Sequence, residues 1–276
     1  MPELPEVEVT RRHLEPVLVG ATVARVEVLR ERMLRHQPRP RDFCDRLIGR
    51  RVHALDRRGK YLLARLAGDL TWVTHLGMTG HLAVADPGTE VSAHTRVITT
   101  LRRGPEIRLV DPRTFGFTAV LTPEEESMGS WHRLGPDALD ALPSMADLAG
   151  GLAGRTAPIK ALLLDQGFIA GLGNIYTDEV LFRAGIRPDH PGGSLDRDRV
   201  RAVRRSIESV LRDGLRHGGT SLADRAYLLP DGRAGDFLTL LRVYGRTGEP
   251  CRRCGTPIER TTLRGRGTHF CPVCQT

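Results

Sequence analysis

Short apolar segments separated by turn residues dominate the chain between residues 22 and 121. They recur at close spacing with no helical pattern between them, which favours antiparallel strands in a sandwich or barrel over a parallel sheet. Ahead of them, Pro5 suits the first turn of a short helix. The buried face of that helix would consist of Val7, Val9, Leu14 and Leu18. The predicted strands are residues 22–29, 60–66, 71–76, 95–101, 106–110 and 116–121.

The hydrophobic period changes in the second half of the chain. Between residues 123 and 154 the pattern dissolves into Pro, Gly and acidic residues, as expected of a linker. Beyond the linker, apolar positions follow helical spacing up to a stop signal at Gly218-Gly219. One predicted helix buries Val200, Val203, Ile207, Val210, Leu211 and Leu215. We therefore predict an α+β fold with an N-terminal β-sandwich domain in residues 1–122, a linker with short helices in 123–154, a helical domain in 155–248 and a cysteine-rich segment in 249–276.

The charge balance points to a polyanionic partner. The 276 residues carry 41 Lys plus Arg against 33 Asp plus Glu, a net charge of +8. Such an excess attracts nucleic acid. The sequence has no run of about 18 apolar residues that would predict a membrane helix, and no signal peptide pattern. We therefore expect a cytoplasmic protein with no membrane partner.

Four of the five cysteines form two Cys-x2-Cys pairs, Cys251 with Cys254 and Cys271 with Cys274. Two such turns with 16 residues between them match the spacing of a tetrathiolate zinc ribbon. Four thiolates leave Zn(II) no open position for water, so this metal is structural. We predict one structural Zn(II) ion that supplies folding free energy to a segment too short to bury a core of its own.

A Gly-rich turn, Gly171-Leu-Gly173-Asn174, joins two predicted helices at residues 158–166 and 174–184. We expect Asn174 at the N-cap of the second helix. There the exposed backbone N–H groups and the helix dipole favour an anion such as a DNA phosphate. Considered alone, such a turn is more often a tight helix connection that binds nothing.

The N-terminus packs two prolines and two carboxylates into six residues, Met1-Pro2-Glu3-Leu-Pro5-Glu6. Removal of Met1 would leave Pro2 with a secondary α-amine, whose pKa of about 7.7 to 8.0 in model peptides provides a neutral fraction at pH 7. Attack of this amine on a sugar C1′ gives an iminium that serves as an electron sink. Glu3 is placed to act as general acid on the departing sugar oxygen. The alternative is that the prolines only start a helix.

These motifs resemble the formamidopyrimidine-DNA glycosylase family in order and spacing over essentially the whole chain. The resemblance is carried by the N-terminal Pro-Glu-Leu-Pro-Glu-Val-Glu, the Gly171–Tyr176 turn, the zinc finger, and the segments His75-Leu-Gly-Met78-Thr-Gly80, Asp111-Pro-Arg113-Thr-Phe115-Gly116 and Tyr244-Gly-Arg-x-Gly-Glu-Pro-Cys251. The N-terminal Pro-Glu-Leu-Pro-Glu resembles the oxidised-purine branch. Endonuclease VIII relatives usually begin Pro-Glu-Gly-Pro-Glu.

The resemblance implies an N-terminal β-sandwich, a helix-two-turn-helix domain and a zinc finger, with double-stranded DNA in a cleft between the domains. It implies a catalytic set in which Pro2 forms the Schiff base, Glu3 shuttles protons, and Lys60 and Arg266 contact phosphates beside the lesion. Three further side chains would enter the duplex, fill the gap left by the extruded base and face the orphaned cytosine: Met78, Arg113 and Phe115. Asn174 and His75 would hold flanking phosphates.

Two further places in the chain bear on the match to the family pattern. Thr114 stands where many relatives carry a second Arg, a change that would alter backbone contacts without touching Arg113 or Phe115. The loop at residues 226–237 resembles the segment that covers the extruded base in the purine-specific branch, although loops vary freely.

The resemblance therefore implies a monomeric, nucleoid-associated base excision repair enzyme that acts as DNA-formamidopyrimidine glycosylase and as DNA-(apurinic or apyrimidinic site) lyase. It would excise 8-oxoguanine and formamidopyrimidines and cut the strand by β,δ-elimination. Two rival interpretations keep the scaffold: a glycosylase for oxidised pyrimidines, and a non-catalytic protein that binds damaged DNA. A zinc-ribbon protein associated with RNA would suit the charge but leaves the N-terminal hexapeptide unexplained.

Overall fold

The computed structural model describes residues 2–37, 39–221 and 227–276. The chain forms two compact units, one of residues 1–132 with 215–238 and the other of residues 133–214 with 239–276. Each unit is described by itself below.

The first unit begins with helix α1 (Leu4–Leu18), which follows Glu3 at the N-cap. Pro5 lies in its first turn, where the missing N–H leaves no hydrogen bond unmade. The predicted buried face is confirmed, since all four of its residues are at most 5% exposed: Val7, Val9, Leu14 and Leu18.

Two four-stranded antiparallel sheets follow, with strand orders β1-β6-β7-β5 and β2-β3-β4-β8. Their strands are β1 (Val23–Val28), β2 (Val52–Arg58), β3 (Tyr61–Leu66), β4 (Leu70–His75), β5 (His81–Ala85), β6 (Thr95–Leu101), β7 (Glu106–Val110) and β8 (Phe117–Leu121). The six predicted strands are all present, and β2 and β5 are additional. Both additional strands lie at the edge of a sheet.

One hydrophobic core unites these elements. It combines side chains of both sheets, such as Val97 and Leu62, with Leu14 of α1 and Phe43 of α2 (Pro40–Leu47). A core shared by two antiparallel sheets is the defining property of a β-sandwich, so the predicted architecture is confirmed. The unit also contains the five-residue helix α3 (Pro123–Ser127).

The second unit is helical until its last residues. Its helices are α4 (Met145–Leu152), α5 (Ile159–Leu164), α6 (Asn174–Ala184) and α7 (Arg197–Arg216), the last of which belongs to this unit as far as Gly214. Helix α7 buries the five predicted residues from Val200 to Leu211 and half-buries Leu215. A hairpin of β9 (Glu259–Leu263) and β10 (Arg266–Phe270) ends the chain. Among the residues described, no helix is both long and apolar enough to cross a membrane.

Candidate active site

Pro2 and Glu3 lie at the start of α1, and both are buried. The backbone N–H of Glu3 donates a 2.8 Å hydrogen bond to Oε2 of Glu6, which holds the first turn of the helix. The fold thus gives the first two residues after Met1 a fixed, desolvated position. Met1 itself lies outside the described residues.

Glu6, which sequence reasoning did not single out, ties this start to a distant part of the first unit. Its Oε1 accepts a 2.7 Å hydrogen bond from the backbone N–H of Thr220, and its carbonyl oxygen accepts one from the Tyr227 hydroxyl (3.2 Å). Gly219 permits this approach, because a Cβ there would lie 2.8 Å from the Glu6 side chain and its φ is +80°. Glu6 therefore positions the N-terminus against Gly219, Thr220 and Tyr227.

The 226–237 loop begins at Ala226, which lies outside the described residues. The residues that follow pack on α1: Tyr227 and Leu229 are buried against Val9. Pro230 accepts a 2.8 Å hydrogen bond from the backbone of Val84. The structure therefore anchors residues 227–230 of this loop to the first unit, whereas residues 231–234 are exposed.

Lys60 lies in the tight turn between β2 and β3 and is 9% exposed. The side chain of Arg57, at the end of β2, forms a 3.2 Å ion pair with Glu8 of α1, and both side chains are at least nine-tenths buried. Arg57 also donates a 2.9 Å hydrogen bond to the carbonyl oxygen of Gly59. These bonds connect the first half of α1, which follows Pro2 and Glu3, with the turn that carries Lys60.

His75 ends β4, where its ring stacks on Phe117 with centroids 5.8 Å apart and lies 4.8 Å from the ring of Tyr61. Burial and the positive charge of Lys60 lower the pKa of His75 from 6.5 to about 4. Its Nδ1 accepts a 3.1 Å hydrogen bond from the backbone N–H of Gly77. The ring is therefore neutral at pH 7 and carries its proton on Nε2, which is a donor suited to a phosphate oxygen.

Met78 and Phe115 are large apolar side chains that the fold leaves 38% and 39% exposed. They lie on two loops that touch, because a Cβ at Gly77 would be 2.3 Å from the backbone nitrogen of Gly116. The guanidinium carbon of Arg113 lies 4.7 Å from the centre of the Phe115 ring. The structure thus gathers the three residues predicted to enter the duplex into one exposed cluster.

Asp111 organises this cluster and is fully buried. Its Oδ1 accepts hydrogen bonds from the Thr79 hydroxyl (2.6 Å) and the Arg113 backbone N–H (3.2 Å), and its Oδ2 accepts one from the Gly116 backbone N–H (2.8 Å). Asp111 belongs to one of the family motifs, but the sequence predicted no role for it. The Asp-Pro pair was a usable signal, because an Asp side chain in a turn commonly accepts a hydrogen bond from the backbone N–H two residues later.

Thr114, the departure from the family pattern, has a φ of +54°. This left-handed conformation is strained for a β-branched residue and is kept only where the surroundings enforce it. The bonds of Asp111 to the residues on either side of Thr114 provide that enforcement.

Asn174 is the first residue of α6, and Gly173 occupies the N-cap. The expectation of Asn174 as N-cap was wrong by one position, because the extended backbone that precedes the helix falls on the glycine. The Asn174 side-chain amide donates a 2.9 Å hydrogen bond to the carbonyl oxygen of Gly267 in β10. Arg266, the neighbour of Gly267, is exposed at the start of the same strand.

A buried ion pair that sequence reasoning missed fixes this arrangement. Lys160 of α5 and Asp178 of α6 are at most 1% exposed and lie 2.6 Å apart. Lys160 Nζ also donates to the carbonyl oxygen of Gly267 and to the hydroxyl of Thr268, both at 2.9 Å. Asp178 accepts a further bond from the backbone N–H of His269 (2.9 Å). The pair therefore joins two helices to the hairpin that carries Arg266.

The four predicted metal ligands converge in the second unit, and their sulfur atoms all lie within 4.8 Å of one another. The Sγ atoms are separated by 3.9 Å for Cys251 and Cys274, and by 3.5 Å for Cys254 and Cys271. A tetrahedral zinc ion with Zn–S bonds of about 2.3 Å requires sulfur atoms about 3.8 Å apart. The residues present fit one Zn(II) ion, as predicted.

The predicted site residues thus fall into sets within each unit. The first unit carries Pro2, Glu3, Lys60, His75, Met78, Arg113 and Phe115. The second carries Asn174, Arg266, Cys251, Cys254, Cys271 and Cys274.

Three family models match the chain. The formamidopyrimidine-DNA glycosylase N-terminal domain matches residues 1–118, the H2TH domain of the same glycosylase matches residues 134–226, and a zinc finger found in FPG and IleRS matches residues 248–276. Together these models account for most of the sequence.

Full-length relatives show the same likeness. The formamidopyrimidine-DNA glycosylase of Geobacillus kaustophilus is 43% identical over the whole of both chains, and that of Moorella thermoacetica is 46% identical over 94% of each. Among solved structures, the MutM (Fpg) protein of Thermus thermophilus is 42% identical with a TM-score of 0.88, covering 99% of this chain and 98% of its own. A complex of Lactococcus lactis Fpg with DNA that contains Fapy-dG is 32% identical with a TM-score of 0.90, covering 99% of this chain and all of its own.

Proposed function

The chain belongs to the formamidopyrimidine-DNA glycosylase family, and from that premise we propose how its residues excise oxidised purines from DNA and cut the strand. The enzyme is a DNA glycosylase and abasic-site lyase of base excision repair, its partner is damaged double-stranded DNA, and its metal is one structural Zn(II). The resemblance, fold, function and zinc predictions are confirmed. The roles of individual residues remain proposals and are argued below.

Pro2 is the proposed nucleophile. Once Met1 is removed, its neutral secondary amine attacks C1′ of the damaged nucleotide, the base departs with the electrons of its bond to C1′, and the amine loses its proton. The C1′–O4′ bond then opens, O4′ takes a proton from Glu3, and the nitrogen lone pair forms the C=N bond of an iminium. The iminium has no N–H proton to lose, so it stays cationic. Loss of the C2′ proton then expels the 3′ phosphate, and a second elimination expels the 5′ phosphate, which leaves a one-nucleotide gap.

Glu3 and Lys60 are the proposed partners of Pro2. The buried position of Glu3 suits a carboxyl group that must give and take protons with little interference from water. Lys60, on the turn connected to α1 through Arg57 and Glu8, would place a positive charge on a phosphate beside the lesion.

Met78, Arg113 and Phe115 are the proposed wedge. An apolar side chain inserted between base steps limits the loss of stacking when a base leaves the helix, and a guanidinium satisfies the unpaired edge of the opposite cytosine. The cation–π contact of Arg113 with Phe115 supports both roles, because it keeps the guanidinium next to the inserted ring.

The remaining predicted residues would hold the backbone. His75 would offer its Nε2 proton to a phosphate, Asn174 its second amide proton at a helix start, and Arg266 its exposed guanidinium. These contacts carry no base preference and fix the register of the duplex. We propose that both units contact one damaged duplex, and that the functional boundaries are residues 1–122, 123–154, 155–248 and 249–276.

We also propose that the enzyme works as a monomer in the cytoplasm, associated with the nucleoid. The net charge of +8 supports association with DNA beyond the lesion.

The main support for this proposal is the exposure of Met78 and Phe115 on two loops that Asp111 holds together. Exposed apolar side chains that lie together are typical of a binding surface. The test compares excision of 8-oxoguanine and of thymine glycol from otherwise identical duplexes. We expect faster release of 8-oxoguanine opposite cytosine, and a marked loss in the Phe115→Ala variant. Faster release of thymine glycol would move the enzyme to the oxidised-pyrimidine branch, and release of neither would indicate a binding protein.

A further inference from the structure

A cavity of about 290 Å³ in the second unit is lined by four arginines and has no role in the chemistry above. Its walls come from the third turn of α6, from the segment after α7 and from the first cysteine turn. The lining residues are Glu179, Phe182, Arg183, Arg242, Arg252 and Arg253.

A buried carboxylate builds one wall of the cavity. Glu179 is 4% exposed, and its oxygens accept backbone hydrogen bonds from Arg242 (2.8 Å), Val243 (2.9 Å) and Tyr244 (2.9 Å). Burial raises the pKa of Glu179 although these three bonds lower it. Its oxygens bind these three peptide groups, so Glu179 fixes the 242–244 turn against α6.

Arg252 and Arg253 are held in place by contacts that leave most of their N–H donors unused. The Arg253 guanidinium carbon lies 4.7 Å from the centre of the Phe182 ring, and Arg252 donates one 2.9 Å hydrogen bond to the carbonyl oxygen of Thr239. A stacked guanidinium keeps its in-plane donors available for a phosphate or carboxylate. Arg183 differs, because it is paired with Asp213 at 2.9 Å.

Three guanidinium groups therefore share this cavity without a carboxylate partner among the described residues: Arg242, Arg252 and Arg253. These three cations share one small volume with a single carboxylate, Glu179, whose oxygens bind peptide groups, so an anion that bridges the guanidinium groups reduces the repulsion that remains. We propose that this cavity is a second anion-binding site that takes a phosphate group. The shared chemistry is that of a phosphate, supplied either by a free phosphate compound or by the DNA backbone away from the lesion.

The site is separate from the proposed lesion contacts. Asn174 begins α6, whereas Phe182 lies eight residues later, which is about 12 Å along the helix axis. Substitutions in the cavity therefore leave Asn174 and Arg266 untouched, and the effect of this site on DNA binding is separable from that of the lesion site.

The test uses the full-length, zinc-loaded protein and the double variant Arg242→Gln/Arg252→Gln. Inorganic pyrophosphate is titrated calorimetrically, and DNA affinity is measured on a short lesion duplex and on a longer one that extends beyond it. Both replaced arginines are exposed and lie outside the catalytic set. Measurements of zinc content and of thermal melting check that the variant is folded. Arg41→Gln, in α2 with a side chain 86% exposed, is the control for loss of positive charge.

We expect wild type and Arg41→Gln to bind one pyrophosphate, and the double variant to lose roughly tenfold in affinity for each guanidinium removed. Loss of pyrophosphate binding alone identifies a free phosphate compound as the ligand. A loss of affinity confined to the longer duplex identifies the DNA backbone. If the double variant matches Arg41→Gln with pyrophosphate and with both duplexes, the proposal is wrong.

Discussion

At the scale of single residues, the site depends on side chains that never meet the base. Asp111 is buried, and the three hydrogen bonds of its carboxylate all go to the loops that carry Met78 and Phe115. His75 is held neutral among aromatic rings, and its proton lies on Nε2 because Nδ1 accepts a hydrogen bond from Gly77. Each residue sets the geometry or protonation of a group that the proposed mechanism uses.

Asp111→Asn should loosen the wedge. The amide keeps one acceptor oxygen and turns an N–H group towards a backbone N–H or the Thr79 hydroxyl, so we expect a loss of about 1–3 kcal/mol in the free energy of unfolding. Affinity for a lesion duplex should fall more than affinity for undamaged DNA. Urea unfolding and binding titrations measure both quantities, with Asp56→Asn, whose side chain is 52% exposed, as the control. Equal behaviour of the two variants would contradict the role given to Asp111.

The depressed pKa of His75 makes a signed prediction about acid stability. Its folded-state pKa of about 4 lies below the ordinary 6.5, so the unfolded chain binds more protons between these values. The contribution of neutral His75 to stability is therefore present above pH 6.5 and is lost as the pH falls towards 4, by at most about 1.4 kcal/mol per pH unit. Urea unfolding of wild type should weaken more on acidification than that of His75→Gln. Parallel pH profiles would show that His75 is not buried as a neutral ring.

At the scale of elements, the second unit is joined by charge as well as by apolar packing. Lys160 and Asp178 connect α5, α6 and β10 through bonds of 2.6 to 2.9 Å. A buried pair of this kind adds little net stability compared with an apolar pair, but removal of one partner leaves an uncompensated charge. The pair also fixes the strand on which Arg266 lies.

Lys160→Met should therefore cost about 3–5 kcal/mol in the free energy of unfolding. Neutralising the stranded carboxylate in the double variant Lys160→Met/Asp178→Asn should recover much of that loss. Chemical unfolding measures both, and Arg41→Met is the surface control. If the single variant lay within 1 kcal/mol of wild type, the buried pair would not be what holds the hairpin to the helices.

Sequence reasoning predicted the elements that bury many side chains and missed those that bury few. Strand β2 carries several charged residues and buries only Val52 and Leu55, while β5 buries only Leu82. Both are edge strands, so neither shows the apolar alternation that marks a strand. Helix α6 matched its predicted bounds because Gly185, in the left-handed conformation, ends it as a helix-stopping glycine does.

The sequence predicted the site residues whose chemistry requires a particular residue type. It did not predict those whose role depends only on where the fold places them. Four cysteines at the spacing of a zinc ribbon predict a metal site. Glu6, Asp111 and Lys160 are ordinary residues in sequence, and their importance comes from partners as many as 214 positions away. Only the folded chain brings such partners together.

At the scale of the whole molecule, each unit carries a separate part of the proposed reaction. The first holds Pro2, Glu3 and the wedge, and the second holds Asn174, Arg266 and the zinc ligands. The finger shares a small core with the rest of its unit, in which Cys251, Cys271 and Ile258 pack with Phe182 of α6 and with Val243. Zinc binding is thus coupled to the placement of the hairpin.

Cys254→Ser should lose zinc and DNA affinity together. A hydroxyl is a poor substitute for a thiolate, and a finger without metal cannot hold the β9–β10 hairpin. Metal analysis and duplex titration measure the two losses, and Cys44→Ser, which lies outside the cluster, is the control. Normal DNA affinity in a metal-free variant would overturn the structural role of zinc.

The most direct test of the mechanism is borohydride trapping on a duplex with one 8-oxoguanine opposite cytosine, with an abasic duplex alongside. We expect wild type to be trapped covalently on both duplexes, because reduction captures the iminium that Pro2 forms at C1′. Pro2→Gly should suppress trapping far more than it weakens duplex binding. Undiminished trapping in the Pro2→Gly variant would show that the secondary amine of Pro2 is not required and would contradict the role given to it.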